Sequence, residues 1–340
     1  MLIYLSSKGI SMNITDGNTI NAINGAKRII RKRFEDIFAE PSSLHSKYSL
    51  LYFWTNENIK EYLDLISFEG KDSALSVLAS GDQAFNLVTK GIMDIDTFDT
   101  NCLTEYFALG IKKAMILKYS YNDFKKNMGK LYKFNNIGIE ETYSIIRGLY
   151  PFMEHNHKTF WEALINYDYK LRKDNGSWYN LIELLLIKDS DNKSIFYNNY
   201  LTSEENYILL RSRLINANIT FKCANAKNLE KDFDNDKYDL ILLSNILDYF
   251  MYIFCDLWGY DHLQKYEEKL KSLCKDDAVI FLKYAFFYKT LEDVNPPTFS
   301  SRVFRDFAFK LKDLTDEEIF EISKPYTKAK DAIVLQRVMK

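Results

Sequence analysis

The stretch SALSVLASGDQAFNLVTKGIMDIDTFDTN, residues 73–101, decides the fold. Leu75 to Ala79 suits a strand buried on both faces, with no regular alternation of polar and apolar residues. Gln83 to Lys90 reads as a short helix closed by Gly91, where a left-handed cap is wanted. Ile95 to Phe98 is a second strand, ending at Asp99. Strand, helix, strand over so short a span is the unit of a parallel sheet.

Toward the amino terminus, Ile23, Ala26, Ile30, Phe34 and Ile37 predict an amphipathic helix over 20–39 that ends before Pro41. Lys27, Arg28, Arg31, Lys32 and Arg33 fall on its polar face, a solvated face or a site for an anionic partner. A further helix is expected from Thr55 through ENIKEYLDLI. Toward the carboxyl terminus the alternation breaks: residues 102–214 read as successive helices, closing with LTSEENYILLRSRL, where Thr202 and Glu205 fit a capping box. It resumes with strands at Ile219–Cys223, Tyr238–Leu243 and Ala278–Lys283, and an amphipathic helix over 262–273. IFEISKP and AIVLQRVM suit a terminal hairpin.

The expected architecture is α/β: a doubly wound, mostly parallel, seven-stranded sheet with a large helical insertion and N-terminal helices. Residues 1–69 form a helical segment and lid, and 70–340 form a Rossmann-like domain interrupted over 102–216. At 340 residues and 47% hydrophobic, the chain can bury a large core. A net charge of −2 argues against a protein that wraps nucleic acid. Cys102, Cys223, Cys255 and Cys274 have no metal-ligand spacing and read as reduced, buried thiols. The start MLIYLSSKGISMN lacks a signal peptide's basic and apolar regions, so a cytoplasmic location is expected. Leu240–Tyr260 has the length of a membrane span, but Asp248 and Asp256 inside it are costly in hydrocarbon, and it opens as a strand. His155 and His157 in MEHNH lack a partner set for a metal and read as a surface loop.

Ligands of a parallel sheet bind at the carboxyl ends of its strands. Four polar clusters fall there: Ser80-Gly81-Asp82, Asp99-Thr100-Asn101, Asn225-Ala226, and Ser244-Asn245 with Asp248. Gly81 to Asp99 spans 18 residues (99 − 81), close to the spacing of about 20 between a glycine turn and an acid that holds ribose hydroxyls. Pyrophosphate needs several glycines for close backbone approach, and an acid such as Asp82 is a poor neighbour for it. Asp82 is a good neighbour for an ammonium or sulfonium group, which favours S-adenosylmethionine (SAM) over NAD. The terminal hairpin points the same way.

The run LSVLASGDQAFNLVTKGIMDIDTFDTN, the helical insertion, TFKCANAKNL and YDLILLSNILDY resemble a SAM-binding family over roughly residues 45 to 285. That family is related to the transferase that moves the 3-amino-3-carboxypropyl group of SAM onto diacylglycerol in betaine-lipid synthesis. The resemblance implies a class I methyltransferase-like sheet. It implies that Ser80 and Gly81 line the methionine part and Asp99 holds the ribose. Asn225 and Ala226 would meet the adenine, with Ser244 and Asn245 facing the sulfonium. Asp82 and Asn101 join this cofactor set, and Asp248 and Tyr249 are candidates for contacting the acceptor. The fourth strand ends in SNIL rather than Asn-Pro-Pro-Tyr, which counts against a typical amine methylase. Methyl and aminocarboxypropyl transfer both stay open, as does a non-catalytic module that keeps the fold. The acceptor is expected to be a small molecule or lipid rather than nucleic acid, with peripheral membrane contact through Lys27–Arg33. The aromatic tract YSLLYFWTNEN (48–58) is a lid over the cofactor or ordinary core packing.

Overall fold

The computed structural model describes residues 17–36, 47–132, 138–175, 181–186, 197–246, 260–288, 317–323 and 330–338. Asp248, Tyr249 and Cys255 lie outside the described residues. The described helices are α1 (Gly17–Glu35), α2 (Ile59–Leu63), α3 (Asp82–Lys90), α4 (Lys113–Lys118), α5 (Tyr121–Tyr132), α6 (Ile139–Arg147), α7 (His155–Asn175), α8 (Leu181–Leu185), α9 (Glu204–Leu214) and α10 (Tyr260–Leu273). The strands are β1 (Ser73–Val77), β2 (Asp94–Asp99), β3 (Asn218–Cys223), β4 (Tyr238–Leu242), β5 (Cys274–Tyr288), β6 (Glu317–Ser323) and β7 (Lys330–Arg337). They divide between two units. One holds Met1–Trp54, Ala79–Gly81 and Thr100–Ser190; the other holds Thr55–Leu78, Asp82–Asp99 and Asp191–Lys340.

The second unit contains the sheet, hydrogen-bonded in the order β3-β2-β1-β4-β5-β7-β6. The first five strands run parallel, and β7 is antiparallel to both β5 and β6. In the centre Leu75 of β1 lies between Asp96 of β2 and Ile241 of β4. Every residue of β1 and β4 is buried, Ser73, Ser76 and Asp239 among them with their side chains hydrogen-bonded, whereas β3 at the edge is largely exposed. From β1 the chain winds outward to β2 and β3, then crosses to β4 on the other flank. The carboxyl ends of β1 and β4 are therefore the reversal point at which doubly wound sheets open a crevice.

Strand β1 ends at Val77, short of the expected Ala79. The Leu78 N–H still donates to Phe98 O at 2.8 Å, and Ala79 then turns to φ 42°, outside the extended region. Helix α3 ends as its sequence predicts. Gly91 has φ 105°, its N–H donates to Val88 O at 3.0 Å, and the Ile92 N–H donates to Leu87 O at 3.1 Å. This double closure places the glycine where a side chain would be strained. At α9 the cap falls one residue later than Thr202, because the Ser203 hydroxyl accepts from Asn206 N at 3.2 Å.

In the helical unit, α1 buries Ala22, Ile23, Ala26, Ile29 and Ile30. Its Arg33 is buried instead of lying on the solvated face, since its guanidinium donates to Leu186 O at 2.8 Å. Residues Tyr106–Lys112 form a π-helical turn. There the Trp161 indole N–H donates to Tyr106 O at 2.8 Å, drawing a carbonyl out of the regular ladder. His155 and His157 begin α7 rather than a loop, and His157 is buried with its Nε2 3.2 Å from Glu105 Oε1. Phe53 and Trp54 of the aromatic tract are buried, with the Lys112 ammonium 4.2 Å from the Trp54 ring centre. Cys274 is a buried free thiol, but Cys102 and Cys223 are disulfide-bonded and Cys223 is exposed, which corrects the expectation of reduced, buried thiols. Among the described residues no helix is long and apolar enough to cross a membrane.

Candidate functional site at the carboxyl ends of the strands

The segment before α2 carries Glu57 to the ends of β1 and β4. The Glu57 carboxylate is only 2% exposed. One oxygen accepts from Ser244 Oγ, directly beyond β4, and the other from Gln83 Nε2 at 3.2 Å, in the first turn of α3. The Gln83 carbonyl accepts in turn from Ser76 Oγ of β1 at 2.9 Å, so one hydrogen-bonded chain joins β1, α3, the Glu57 segment and β4. Burial pushes the Glu57 carboxyl up to about 7, against the lowering effect of the hydrogen bonds from Ser244, Gln83 and the Asn245 backbone. The negative charge of Asp331 on β7 adds to the upward shift. Next to Glu57, the Asn58 N–H donates to Tyr284 Oη of β5 at 2.9 Å, and that hydroxyl donates to Asp331 Oδ2 at 2.6 Å.

Asp82 opens α3 and is buried. Its carboxylate accepts from the Thr55 N–H and from Tyr200 Oη, both at 2.7 Å. Two turns of neighbouring chain are thus pinned to the acid that the sequence assigns to a cationic ligand. Asn86, one turn on, reaches Asn198 Oδ1 at 2.7 Å and accepts from Asn199 N at 2.6 Å. These contacts order the base of α3.

On the β2 side, Asp99 is half-buried at the strand end, and its carbonyl accepts from Ala224 N at 3.0 Å. That bond holds the loop after β3 alongside Asp99. In the loop Asn225 is exposed, its side chain capping the next turn through Lys227 N at 3.0 Å, while Ala226 is buried. The structure therefore brings Asp99, Asn225 and Ala226 together at one end of the sheet unit, and Asp82, Ser244 and Asn245 onto the Glu57 chain and its surroundings.

Ser80, Gly81 and Asn101 belong to the helical unit. Ser80 is buried and Gly81 has φ 83°. Asn101 ties its segment to residues 49–50: its Oδ1 accepts from Ser49 N at 3.3 Å and Leu103 N at 3.2 Å, and its Nδ2 donates to Ser49 O and Leu50 O at 3.2 Å. Ser244 and Ala79, the residues just past the two central strands, both carry positive φ, 59° and 42°. For residues other than glycine, asparagine or aspartate this costs about 1–2 kcal/mol, and such outliers cluster at functional sites.

Sequence reading missed Glu57, Ser76, Tyr284 and Asp331. Glu57 lay inside a tract read for its aromatics, and nothing in its spacing sets it apart from a surface acid. The nearest signal was the string Thr-Asn-Glu-Asn, polar residues placed just ahead of the buried helix α2.

The chain matches no protein-family model and no curated protein sequence. Among solved structures it is similar to WbdD, crystallised with a kinase inhibitor, at 9% identity and a TM-score of 0.33, over 82% of this chain and 38% of that one. It is also similar to the rRNA methyltransferase aviRa from Streptomyces viridochromogenes, at 11% identity and a TM-score of 0.35, over 95% of this chain and 90% of that one. Likenesses this distant carry no argument about chemistry, which rests on the residues of this chain.

Proposed function

We propose that this chain is a SAM-dependent transferase that moves a methyl or 3-amino-3-carboxypropyl group to a small-molecule or lipid acceptor. The observation that carries the reading is the strand order, with an antiparallel β7 inserted between β5 and β6. A doubly wound dinucleotide fold keeps its sixth strand beside the fifth; the inserted strand is the mark of the class I methyltransferase-like sheet. The residues at the reversal point fit the cofactor. Asp99 is half-buried and terminal on β2, as an acceptor for two ribose hydroxyls requires. The buried Ala226 offers an apolar edge beside it for adenine. The single glycine after β1 suffices where no pyrophosphate must approach.

Bound SAM would supply a carbon activated by a sulfonium, so the protein's work is mainly to hold donor and acceptor in line and exclude water. Ser244 and Asn245 line the path to the sulfonium. Asp248 and Tyr249 follow in the chain and are assigned to the acceptor. The exposed Arg28, Arg31 and Lys32 on α1 suit a membrane-borne, anionic acceptor surface. Sedimentation with liposomes, with and without anionic lipid, checks that assignment.

The test of the function is the nucleoside released when the protein is incubated with SAM and cell extract. Methyl transfer leaves S-adenosylhomocysteine, and aminocarboxypropyl transfer leaves 5′-methylthioadenosine. Absence of both with a folded, SAM-binding protein would leave a non-catalytic module.

A further inference from the structure

Glu57 is a buried carboxylate whose described polar neighbours are neutral donors and a second acid. Its hydrogen bonds come from Ser244, Gln83 and the Asn245 backbone. The charged or titratable groups facing it from the packed elements are Tyr62 of α2, Asp82 at the start of α3, Tyr284 of β5 and Asp331 of β7. Among the described residues all of these are acids or phenols, and none is a cation. Buried charges are ordinarily paired or metal-bound, because leaving water uncompensated is costly.

A second observation points to the missing partner. The Tyr62 hydroxyl is fully buried in the same cluster beside the Gln83 amide, with no described group in good hydrogen-bond geometry to it. A carboxylate with spare lone pairs and an unused phenol oxygen together suit a ligand group that is positive and offers several N–H donors. A sulfonium offers none. A primary ammonium offers three. Ser244 and Asn245 are half-exposed at the same point.

We infer that Glu57, with the Tyr62 hydroxyl beside it, is the subsite for the α-ammonium group of the cofactor's amino-acid tail. The inference rests on the transferase reading above. It reassigns the role that the sequence gives to Asp82, whose carboxylate holds Tyr200 and the Thr55 backbone instead.

S-adenosylhomocysteine keeps the amino-acid tail with its ammonium and lacks the sulfonium, whereas 5′-methylthioadenosine lacks the tail and the sulfonium, so a change at Glu57 that affects the first alone reports a contact with the tail. Calorimetric titration of wild type and Glu57→Gln with each nucleoside, at pH 6 and pH 8, tests it. Glu57 must be ionised to bind, so with its pKa near 7 wild-type affinity for S-adenosylhomocysteine should rise about tenfold from pH 6 to pH 8. Glu57→Gln should remove that dependence, weaken S-adenosylhomocysteine at pH 8 by about tenfold or more, and leave 5′-methylthioadenosine unchanged. The unchanged nucleoside also shows that the variant is folded. Equal affinity of variant and wild type for S-adenosylhomocysteine, or an equal loss for both nucleosides, would overturn the subsite while leaving SAM use intact. Failure of wild type to bind either nucleoside would overturn the transferase reading, and the subsite with it.

Discussion

At the amino ends of the strands, Asp239 of β4 accepts hydrogen bonds from Lys275 Nζ at 2.9 Å, Ser73 Oγ at 2.7 Å, and the Asp72 and Ser73 N–H groups at 3.0 Å. On β2, Asp96 meets Lys237 Nζ at 2.7 Å and Tyr238 Oη at 2.6 Å. At the carboxyl ends of the same sheet, Glu57 is at least as buried but meets neutral donors. Burial pushes all three carboxyls up. For Asp239 and Asp96 the hydrogen bonds and lysine charges outweigh burial and hold both below the ordinary range. For Glu57 burial wins, and the group sits near 7. One end of the sheet is compensated internally, and the other holds a carboxylate that meets no cation among the described residues, with strained backbone at Ser244. Sites that must bind something are where proteins tolerate that arrangement.

The largest effect should come from breaking the compensated end. Asp239→Ala leaves Lys275 without its inner partner and strips the acceptor from two backbone amides, so it should cost about 3–4 kcal/mol in urea unfolding. Glu57→Gln should act in the opposite direction. Its folded pKa is raised above the ordinary 4.5, so the stabilisation due to its proton is present at low pH and is lost as pH rises through 7. At pH 8 the neutral glutamine should therefore stabilise the unliganded protein by on the order of 3 kcal/mol, and at pH 4 by almost nothing. A destabilised Glu57→Gln at pH 8 would remove the contrast. Asp96 and Asp239 have depressed values, so their contribution is present above about pH 4 and is lost as pH falls through their folded values. Acid unfolding of Asp239→Ala should accordingly be shallower than that of wild type. The smallest effect is local: Ala79→Gly relieves φ 42° and should change stability by about +0.5–1 kcal/mol, measurable as a shift in the urea midpoint.

Short, mainly apolar stretches without polar alternation made the two central strands legible, because burial on both faces leaves no polar face to mark. Gly91 was legible for a similar reason, since few residues tolerate its backbone. The reversal point followed from the order of elements. Glu57 was not legible: what distinguishes it is burial without a counter-charge, a property of four elements meeting rather than of its neighbours in sequence. Asp82 is the converse case: its position suggests a ligand, and its carboxylate is met by Tyr200, 118 residues on. Arg33 and His157 were read as surface groups because polar character was taken for exposure, whereas each is buried with a polar partner.

The claim on which the rest depends is that the carboxyl ends of β1, β2 and β4 form an adenosyl site. Calorimetric titration of wild type and Asp99→Ala with SAM at pH 8 tests it most directly. Saturable one-to-one binding by wild type, lost in a folded Asp99→Ala, is the predicted result; no binding by wild type, or the same affinity in both, would contradict it.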